Sequence, residues 1–247
     1  MTTTSPTWQE QLAMTDEDAL VSVRGLTVRY GMQVALDRLD LDLPAGRIVG
    51  LLGENGCGKS TLLKVLAGVY ADHTGDVRLA GHRPGPESKA LVSYLPDQSS
   101  LPDRARVSYC LGLFEDFYAD FDRQKATDLI DFFGLDSQMR LKEMSKGMRE
   151  KVQISLAMAR RARVFLLDEP ISGVDPAARE GILDGILRGL EADSLLLVAT
   201  HLVHDLETAL DSVVMMRHGR VLLTGEVDDL RAEHGASLEQ IFRKVYR

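Results

Sequence analysis

Residues 48–61 of this chain read IVGLLGENGCGKST, an apolar run that leads directly into a glycine-rich loop. The apolar part, residues 48–52, is typical of a strand that is covered on both faces, as in a parallel sheet. The loop fits the pattern G-x-x-x-x-G-K-[ST], and residues 59–68 after it have helical spacing. This order of strand, loop and helix predicts an α/β fold with a phosphate-binding loop.

The chemistry of such a loop comes from its backbone. Glycines let the chain curl so that several N–H groups point into one concavity, and the helix that follows adds its positive end. Lys59 would reach the β- and γ-phosphates of a nucleotide, and the Ser60 hydroxyl would ligate Mg²⁺. A chance glycine-rich turn is the alternative, and the flanking strand and helix argue against it. The predicted nucleotide-binding residues here are Gly53, Asn55, Gly56, Cys57, Gly58, Lys59, Ser60 and Thr61.

A second apolar run ends in two adjacent acids. Residues 164–170 read VFLLDEP, which predicts a buried strand with Asp168 and Glu169 at its carboxyl end. Ligands of open parallel sheets bind at that edge, where one acid can hold Mg²⁺ and the next can polarise a water. A capping pair at a strand end is the structural alternative. The phosphate loop upstream favours the catalytic interpretation.

The remaining pattern divides the chain of 247 residues into a body and an insertion. Residues 1–19 lack periodicity and are predicted to be a tail, with Trp8 as an apolar anchor, and residues 20–247 form the body. Residues from about 102 to 160 have helical patterns and form an inserted α-helical subdomain, and residues from about 228 to 247 form a C-terminal helical segment. Further strands are predicted at residues 20–30, 36–43, 76–80, 91–95 and 195–200, with a hairpin near residues 217–220.

An aromatic stripe marks the start of the insertion. Its members fall on one face of a single amphipathic helix: Val107, Cys110, Leu111, Phe114, Phe117, Tyr118 and Phe121. We interpret the stripe as core of the helical part. The alternative is that some of it forms a groove for a cytoplasmic helix of a membrane partner.

Composition excludes several classes of protein. Hydrophobic residues make up 45% and charged residues 27%, which excludes a disordered or low-complexity chain. The 29 basic and 37 acidic residues give a net charge of −8, which disfavours nucleic acid as a partner in spite of a local basic excess in residues 139–163. Two cysteines cannot build a disulfide framework, and neither a signal peptide nor an apolar run of membrane-spanning length is found. These features indicate a cytoplasmic protein.

With these motifs in order, residues from about 20 to 225 resemble the ATP-binding subunit of an ABC transporter. The resemblance implies a P-loop NTPase (RecA-like) core with an antiparallel β flank and the helical insertion. It assigns the Mg²⁺ site to Asp168 and the catalytic base to Glu169. It further implies adenine stacking by Tyr30, a signature loop at Ser145 and Gly147, a dimer-interface loop ending at Asp175, and a γ-phosphate contact by His201.

Two departures from the family pattern affect these assignments. Lys146 stands where the signature loop usually has its second glycine, and Met148 where it has glutamine. The family's glutamine that contacts Mg²⁺ and water belongs directly after Leu95-Pro96. Asp97 occupies that register and is favoured, and Gln98, one residue later, remains the alternative.

The resemblance implies an ATPase that uses ATP and Mg²⁺ to power an integral membrane permease on another chain. The two departures resemble the sequences of ATPases that work with ABC-2-type exporters more than those of nutrient importers. ATP would close a homodimer or heterodimer of such subunits at the inner face of the cell membrane. The alternatives are a soluble ABC-type ATPase acting apart from transport and a nucleotide-dependent regulator that hardly hydrolyses ATP.

Overall fold

A six-stranded sheet organises the fold in the computed structural model, which describes residues 19–246. Its strands are β3 Ile48–Leu52, β5 Val92–Leu95, β6 Val164–Asp168, β7 Leu195–Thr200, β8 Ser212–Arg217 and β9 Arg220–Glu226. They lie in the order β5-β6-β7-β3-β8-β9. The first five in that order run parallel to one another, and β9 pairs antiparallel with β8. The apolar runs at β3, β6 and β7 are buried at nearly every position, as strands covered on both faces require.

A second sheet forms the antiparallel flank. It contains β1 Ala19–Tyr30, β2 Gln33–Pro44 and β4 His73–Leu79 in the order β2-β1-β4. The first helix of the described residues, α1 Lys59–Leu66, contacts strands of both sheets and buries Leu62, Leu63 and Leu66 in the core they share. The phosphate loop therefore lies where the two sheets meet.

Helices cover the other face of the large sheet and fill the connection between β5 and β6. The bounds are α2 Pro86–Leu91, α3 Val107–Phe117, α4 Arg123–Phe132, a 3₁₀ turn Leu141–Glu143, α5 Lys146–Met158, α6 Pro176–Arg188, α7 Val203–Leu206, α8 Val227–His234 and α9 Leu238–Val245. Helices α3, α4 and α5 have a core cluster of their own. None of the helices in residues 19–246 has the length and apolar character needed to cross a bilayer.

This architecture confirms the predicted α/β class with its antiparallel flank and inserted helices. The domain bounds remain predictions, and the predicted tail, with Trp8, lies outside the described residues except for Ala19, which begins β1. The C-terminal helical segment is two helices, because Gly235 ends α8 in the left-handed conformation before Ser237 caps α9.

The predicted helical stripe is wrong beyond Phe117. Helix α3 ends there, Phe117 is 75% exposed, and Phe121 lies in the loop that follows. Phe114 contacts the rings of Tyr118 and Phe121 at centroid distances of 5.3 and 5.7 Å. The aromatic spacing was compatible with a longer helix, but the chain turns to place these rings against the insertion's core.

A buried arginine fastens the insertion to the large sheet. The Arg160 side chain, 4% exposed, donates to Asp120 at 2.7 Å and stacks on the ring of Tyr118 at 4.0 Å. It also donates to the carbonyls of Val92, the first residue of β5, and of Ala90, near the end of α2, at 3.3 Å each. The insertion and the edge of the sheet therefore meet at one fixed point.

A buried glutamate ties the C-terminal helices to the body. Glu207 accepts hydrogen bonds from the Leu238 N–H at 2.8 Å and from the Arg231 guanidinium at 2.8 and 3.0 Å. Burial alone raises the pKa of Glu207, but these donors outweigh it and hold the pKa below the ordinary glutamate value. The ionised form is therefore the one that stabilises the fold.

We expect Glu207→Gln to lower the free energy of unfolding by about 2 kcal/mol at pH 7, since charge-assisted hydrogen bonds are lost. Because the pKa of Glu207 is lower in the folded than in the unfolded protein, its ionised carboxylate stabilises the fold at pH values above the unfolded pKa. The difference in unfolding free energy between wild type and Glu207→Gln should therefore shrink as the pH falls below about 4. Urea denaturation across this range measures it. Glu233→Gln, at an exposed position of α8, is the control; equal effects of both substitutions would contradict the assignment.

Candidate functional site

The phosphate loop joins β3 to α1 at the carboxyl edge of the large sheet. Gly58, the last residue before the helix, has φ +112°, which L side chains rarely adopt. A Cβ at this position would lie 2.6 Å from the Ala35 carbonyl oxygen and 2.8 Å from Leu36 Cδ2. Glycine is therefore required both for the turn and for the close approach of β2.

Lys59 is held inside the loop. Its side chain is 5% exposed, and Nζ donates to the carbonyls of Gly53 at 2.7 Å and Glu54 at 3.3 Å. The same ammonium lies 3.9 Å from Glu169 Oε1. A buried cation surrounded by loop carbonyls can exchange them for the oxygens of a bound anion.

Asp168 and Ser60 provide adjacent oxygen atoms. The Ser60 hydroxyl, in the first turn of α1, donates to Oδ1 of Asp168, the last residue of β6, at 3.0 Å. Burial raises the pKa of Asp168 and the nearby carboxylates of Asp97 and Glu169 add to the rise, while the Ser60 hydrogen bond and Lys59 oppose it. A cation bound here would relieve the cost of a buried charge.

This donor set fits Mg²⁺. A hydroxyl and a buried carboxylate are hard oxygen ligands, and Mg²⁺ commonly takes one or two such groups together with nucleotide phosphates and waters. Within residues 19–246, no group of three or more His, Cys, Asp or Glu side chains could hold a metal ion by itself. The site is therefore one that a metal would share with a phosphate ligand.

Glu169 has a strained backbone and a fixed carboxylate. Its φ is +51°, in the left-handed region, and its N–H donates to the Ala199 carbonyl at 2.8 Å. Oε1 accepts from His201 Nδ1 at 2.9 Å and Oε2 from the Thr200 hydroxyl at 3.1 Å. Sequence reasoning identified Glu169 and His201 but missed Thr200, whose signal was a hydroxyl at the end of a buried strand, next to His201.

One open cleft of about 470 Å³ brings most of the predicted residues together. It is lined by Tyr30, Gln33, Ala35, Asn55, Gly56, Gly58, Lys59, Ser60, Thr61, Asp97, Glu169, Ser172 and His201. Tyr30 is 44% exposed, and its ring centroid lies 5.1 Å from that of Tyr70. Gln33 and Ala35 were not predicted, and only their positions beside the predicted loops would have indicated them. Ser172 was predicted as the start of the dimer-interface loop and not as part of the cleft wall.

Seven of the predicted residues are absent from the lining of this cleft: Gly53, Cys57, Gln98, Asp168, Ser145, Gly147 and Asp175. Gln98 is exposed and absent from its wall, whereas Asp97 is part of the wall. The Cys57 sulfur turns toward the buried side, and burial raises the pKa of its thiol, so it is a packing group. Gly53 contributes its carbonyl to Lys59 from behind the loop.

The signature residues lie outside the cleft. Ser145 caps α5, since its hydroxyl accepts from the Met148 N–H at 3.2 Å. Lys146 forms an ion pair with Glu150 at 3.7 Å and contacts Gly173, two residues before Asp175. The start of α5 and the loop that ends at Asp175 are therefore neighbours, and none of Ser145, Gly147 and Asp175 lines the cleft.

Comparison with known proteins gives consistent results. The family model described as "ABC transporter" matches residues 36–172, more than half of the chain. The daunorubicin resistance ATP-binding protein DrrA3 of Streptomyces coeruleorubidus is 30% identical over 226 residues, which cover 88% of this chain and 72% of that protein. The Nod factor export ATP-binding protein I of Cupriavidus metallidurans is 27% identical over 91% of this chain and 77% of that protein. A solved structure of the ATP-binding subunit of an ABC transporter superposes with a TM-score of 0.82, at 28% identity, over 92% of this chain and all of that one.

Proposed function

This chain belongs to the ABC transporter family as an ATP-binding subunit with ATPase activity, and we propose that its cleft hydrolyses Mg-ATP to drive export through a membrane permease on another chain. The observation that carries the proposal is the position of Glu169. Its carboxylate is fixed by His201 and Thr200 and lies 3.9 Å from the Lys59 ammonium, beside the phosphate loop.

The adenine and the phosphates of ATP bind at different ends of the cleft. The exposed ring of Tyr30 offers a stacking surface for adenine at the hairpin between β1 and β2. The loop N–H groups and the N-terminus of α1 hold the phosphates, and Lys59 neutralises their charge. Ser60 and Asp168 are the residues that would hold Mg²⁺, which supplies charge neutralisation at the phosphates when bound, and Asp97 faces the same space.

Hydrolysis requires a base and a stabiliser of the developing charge. Glu169 is placed to orient the attacking water and take its proton. His201, 41% exposed at the mouth of the cleft, can leave Glu169 and donate to the γ-phosphate. Thr200, which donates to Glu169 Oε2, keeps the carboxylate oriented when His201 moves.

A single chain does not complete the site in this proposal. Ser145, Gly147 and Asp175 do not line the cleft of their own chain. In the proposed dimer they cover the ATP of the second subunit, with the N-terminus of α5 facing its γ-phosphate. ATP would then close two cassettes head to tail, and hydrolysis would release them. The second cassette is a copy of this chain or a related chain.

The names of the relatives support export as the direction. Two of them are a drug-resistance ATP-binding protein and a Nod factor export ATP-binding protein. A soluble ATPase or regulator apart from transport is not favoured by these relatives. We propose that the chain works at the inner face of the cell membrane, held there by the permease.

A groove next to the nucleotide cleft is the proposed docking site for a cytoplasmic helix of the permease. This cavity of about 320 Å³ lies between β5, α3 and α5, and its wall includes Val69, Pro96, Leu101, Phe114 and Tyr118. Pro96 lines the groove while the next residue, Asp97, lines the nucleotide cleft. Because adjacent residues of one loop line the two sites, a shift of this loop on ATP binding would move the docked helix.

We expect Val69→Asp to reduce recovery of the permease with the affinity-tagged chain about tenfold, because a charge in an apolar interface is poorly solvated. Val69 is 64% exposed, so the fold should be unaffected. Quantitative mass spectrometry of detergent-solubilised membranes from the native host measures the recovery. The matched control is Leu222→Asp, 47% exposed on β9. Equal recovery with both variants would contradict docking at this groove, and absence of any integral membrane protein with the wild type would contradict the transport function.

A further inference from the structure

The C-terminal helix α9 reaches the back of the phosphate loop. Tyr246 directly follows α9, and its hydroxyl donates a hydrogen bond to the Met216 carbonyl. The Leu52 carbonyl oxygen lies 3.3 Å from the same hydroxyl oxygen. The Leu52 carbonyl belongs to the peptide group that enters Gly53. A side chain almost 200 residues later in the sequence therefore touches the first peptide of the loop.

Packing around Gly53 leaves little freedom for that peptide. A Cβ at Gly53 would lie 2.5 Å from Cys57 Sγ, 2.7 Å from the Met216 carbonyl oxygen and 3.3 Å from the Tyr246 hydroxyl. The Gly53 carbonyl in turn accepts from Lys59 Nζ at 2.7 Å. The contacts thus run from Tyr246 through one glycine to the cation of the phosphate site.

The other end of α9 is fixed to the segment that follows His201. The Leu238 N–H, at the start of α9, donates to Glu207 at 2.8 Å. Glu207 directly follows α7, which begins two residues after His201. Helix α9 therefore spans the rear of the site, from the segment after His201 to the phosphate loop.

We propose that α9 is a positioning element for the ATP site and that Tyr246 is its positioning residue. The Tyr246 hydroxyl, hydrogen-bonded to the Met216 carbonyl, packs against the Leu52–Gly53 peptide and holds the Gly53 carbonyl where it accepts from Lys59. The proposal rests on ATP binding in the cleft, and it adds a role for a helix that no motif of the family covers. Tyr246 acts from behind the loop and does not touch the nucleotide.

The test compares Tyr246→Phe with Tyr109→Phe, a tyrosine 60% exposed on α3. We expect Tyr246→Phe to raise both the Kd for a fluorescent ATP analogue and the KM for ATP about 3- to 10-fold, as loss of one hydrogen bond implies. Because the ring still fills its place, kcat and the melting temperature should change little. If the substitution only lowered the fraction of folded protein, the rate per chain would fall but the Kd for the ATP analogue would stay at the wild-type value.

Thiol labelling of Cys57 is the second measurement, made in a Cys110→Ala background. Cys57 is 5% exposed and packs against Gly53, so a loosened loop should increase its labelling rate severalfold in Tyr246→Phe and leave it unchanged in Tyr109→Phe. Wild-type Kd, KM and labelling in Tyr246→Phe would overturn the inference while the ATP site stands. Failure of the wild-type chain to bind the ATP analogue would overturn both.

Discussion

Glu169→Gln should retain ATP and lose turnover by a factor of about 100 to 10,000, the range for removal of a general base. The amide keeps the shape of the side chain and its contact with Thr200 but cannot take a proton from water. Steady-state phosphate release measures turnover, and equilibrium binding of a fluorescent ATP analogue measures affinity. The Kd should stay within about threefold of the wild-type value, because the loop and Lys59 are intact.

The control for this substitution is Glu180→Gln, at an exposed position of α6. It should behave as wild type in both measurements. Wild-type turnover by Glu169→Gln would remove Glu169 from the role of base. The trapped variant also reports on assembly, since Mg-ATP should double its solution mass if two copies of this chain form the closed pair.

Lys59→Met should weaken ATP binding at least about tenfold and reduce turnover at least about 100-fold. The substitution removes the ammonium that donates to the Gly53 carbonyl and lies 3.9 Å from Glu169, so the phosphates lose a charge partner. The same two assays measure the effect. Methionine fills a similar volume in this 5% exposed position, which limits the loss of packing.

Lys64→Met is the matched control, because Lys64 is exposed on the same helix. It should leave affinity and turnover unchanged. ATP affinity equal to wild type in Lys59→Met would contradict a phosphate-binding role for the loop. Loss of binding in both variants would indicate damage to α1 and not loss of a specific contact.

The elements closest to the chemistry were predictable because local pattern and tertiary structure agree there. An apolar run at β3 is followed by glycines that allow the sharp turn of the phosphate loop. Gly58 takes the positive φ that such a turn requires. Asp168 ends the buried strand β6 and Glu169 follows it, at the edge of a parallel sheet where ligands bind.

Other features depend on contacts distant in sequence, which periodicity does not record. The helical stripe was extended past Phe117 because aromatic spacing remained compatible with a helix, but the chain turns to pack Phe121 against Phe114. Tyr246 carries no motif, and its contact with Leu52 exists only once the C-terminal helices fold back onto the sheet. The choice of Asp97 over Gln98 is likewise supported by the cleft wall and not by composition.

The most direct test of the central claim is the rate of phosphate release from Mg-ATP by the wild-type chain purified with its membrane partner. We expect sustained turnover over many cycles by the wild-type complex, and turnover at least about 100-fold slower with Lys59→Met or Glu169→Gln. Bound ATP that remains unhydrolysed in the wild-type complex would contradict it. The chain would then be a nucleotide-dependent regulator.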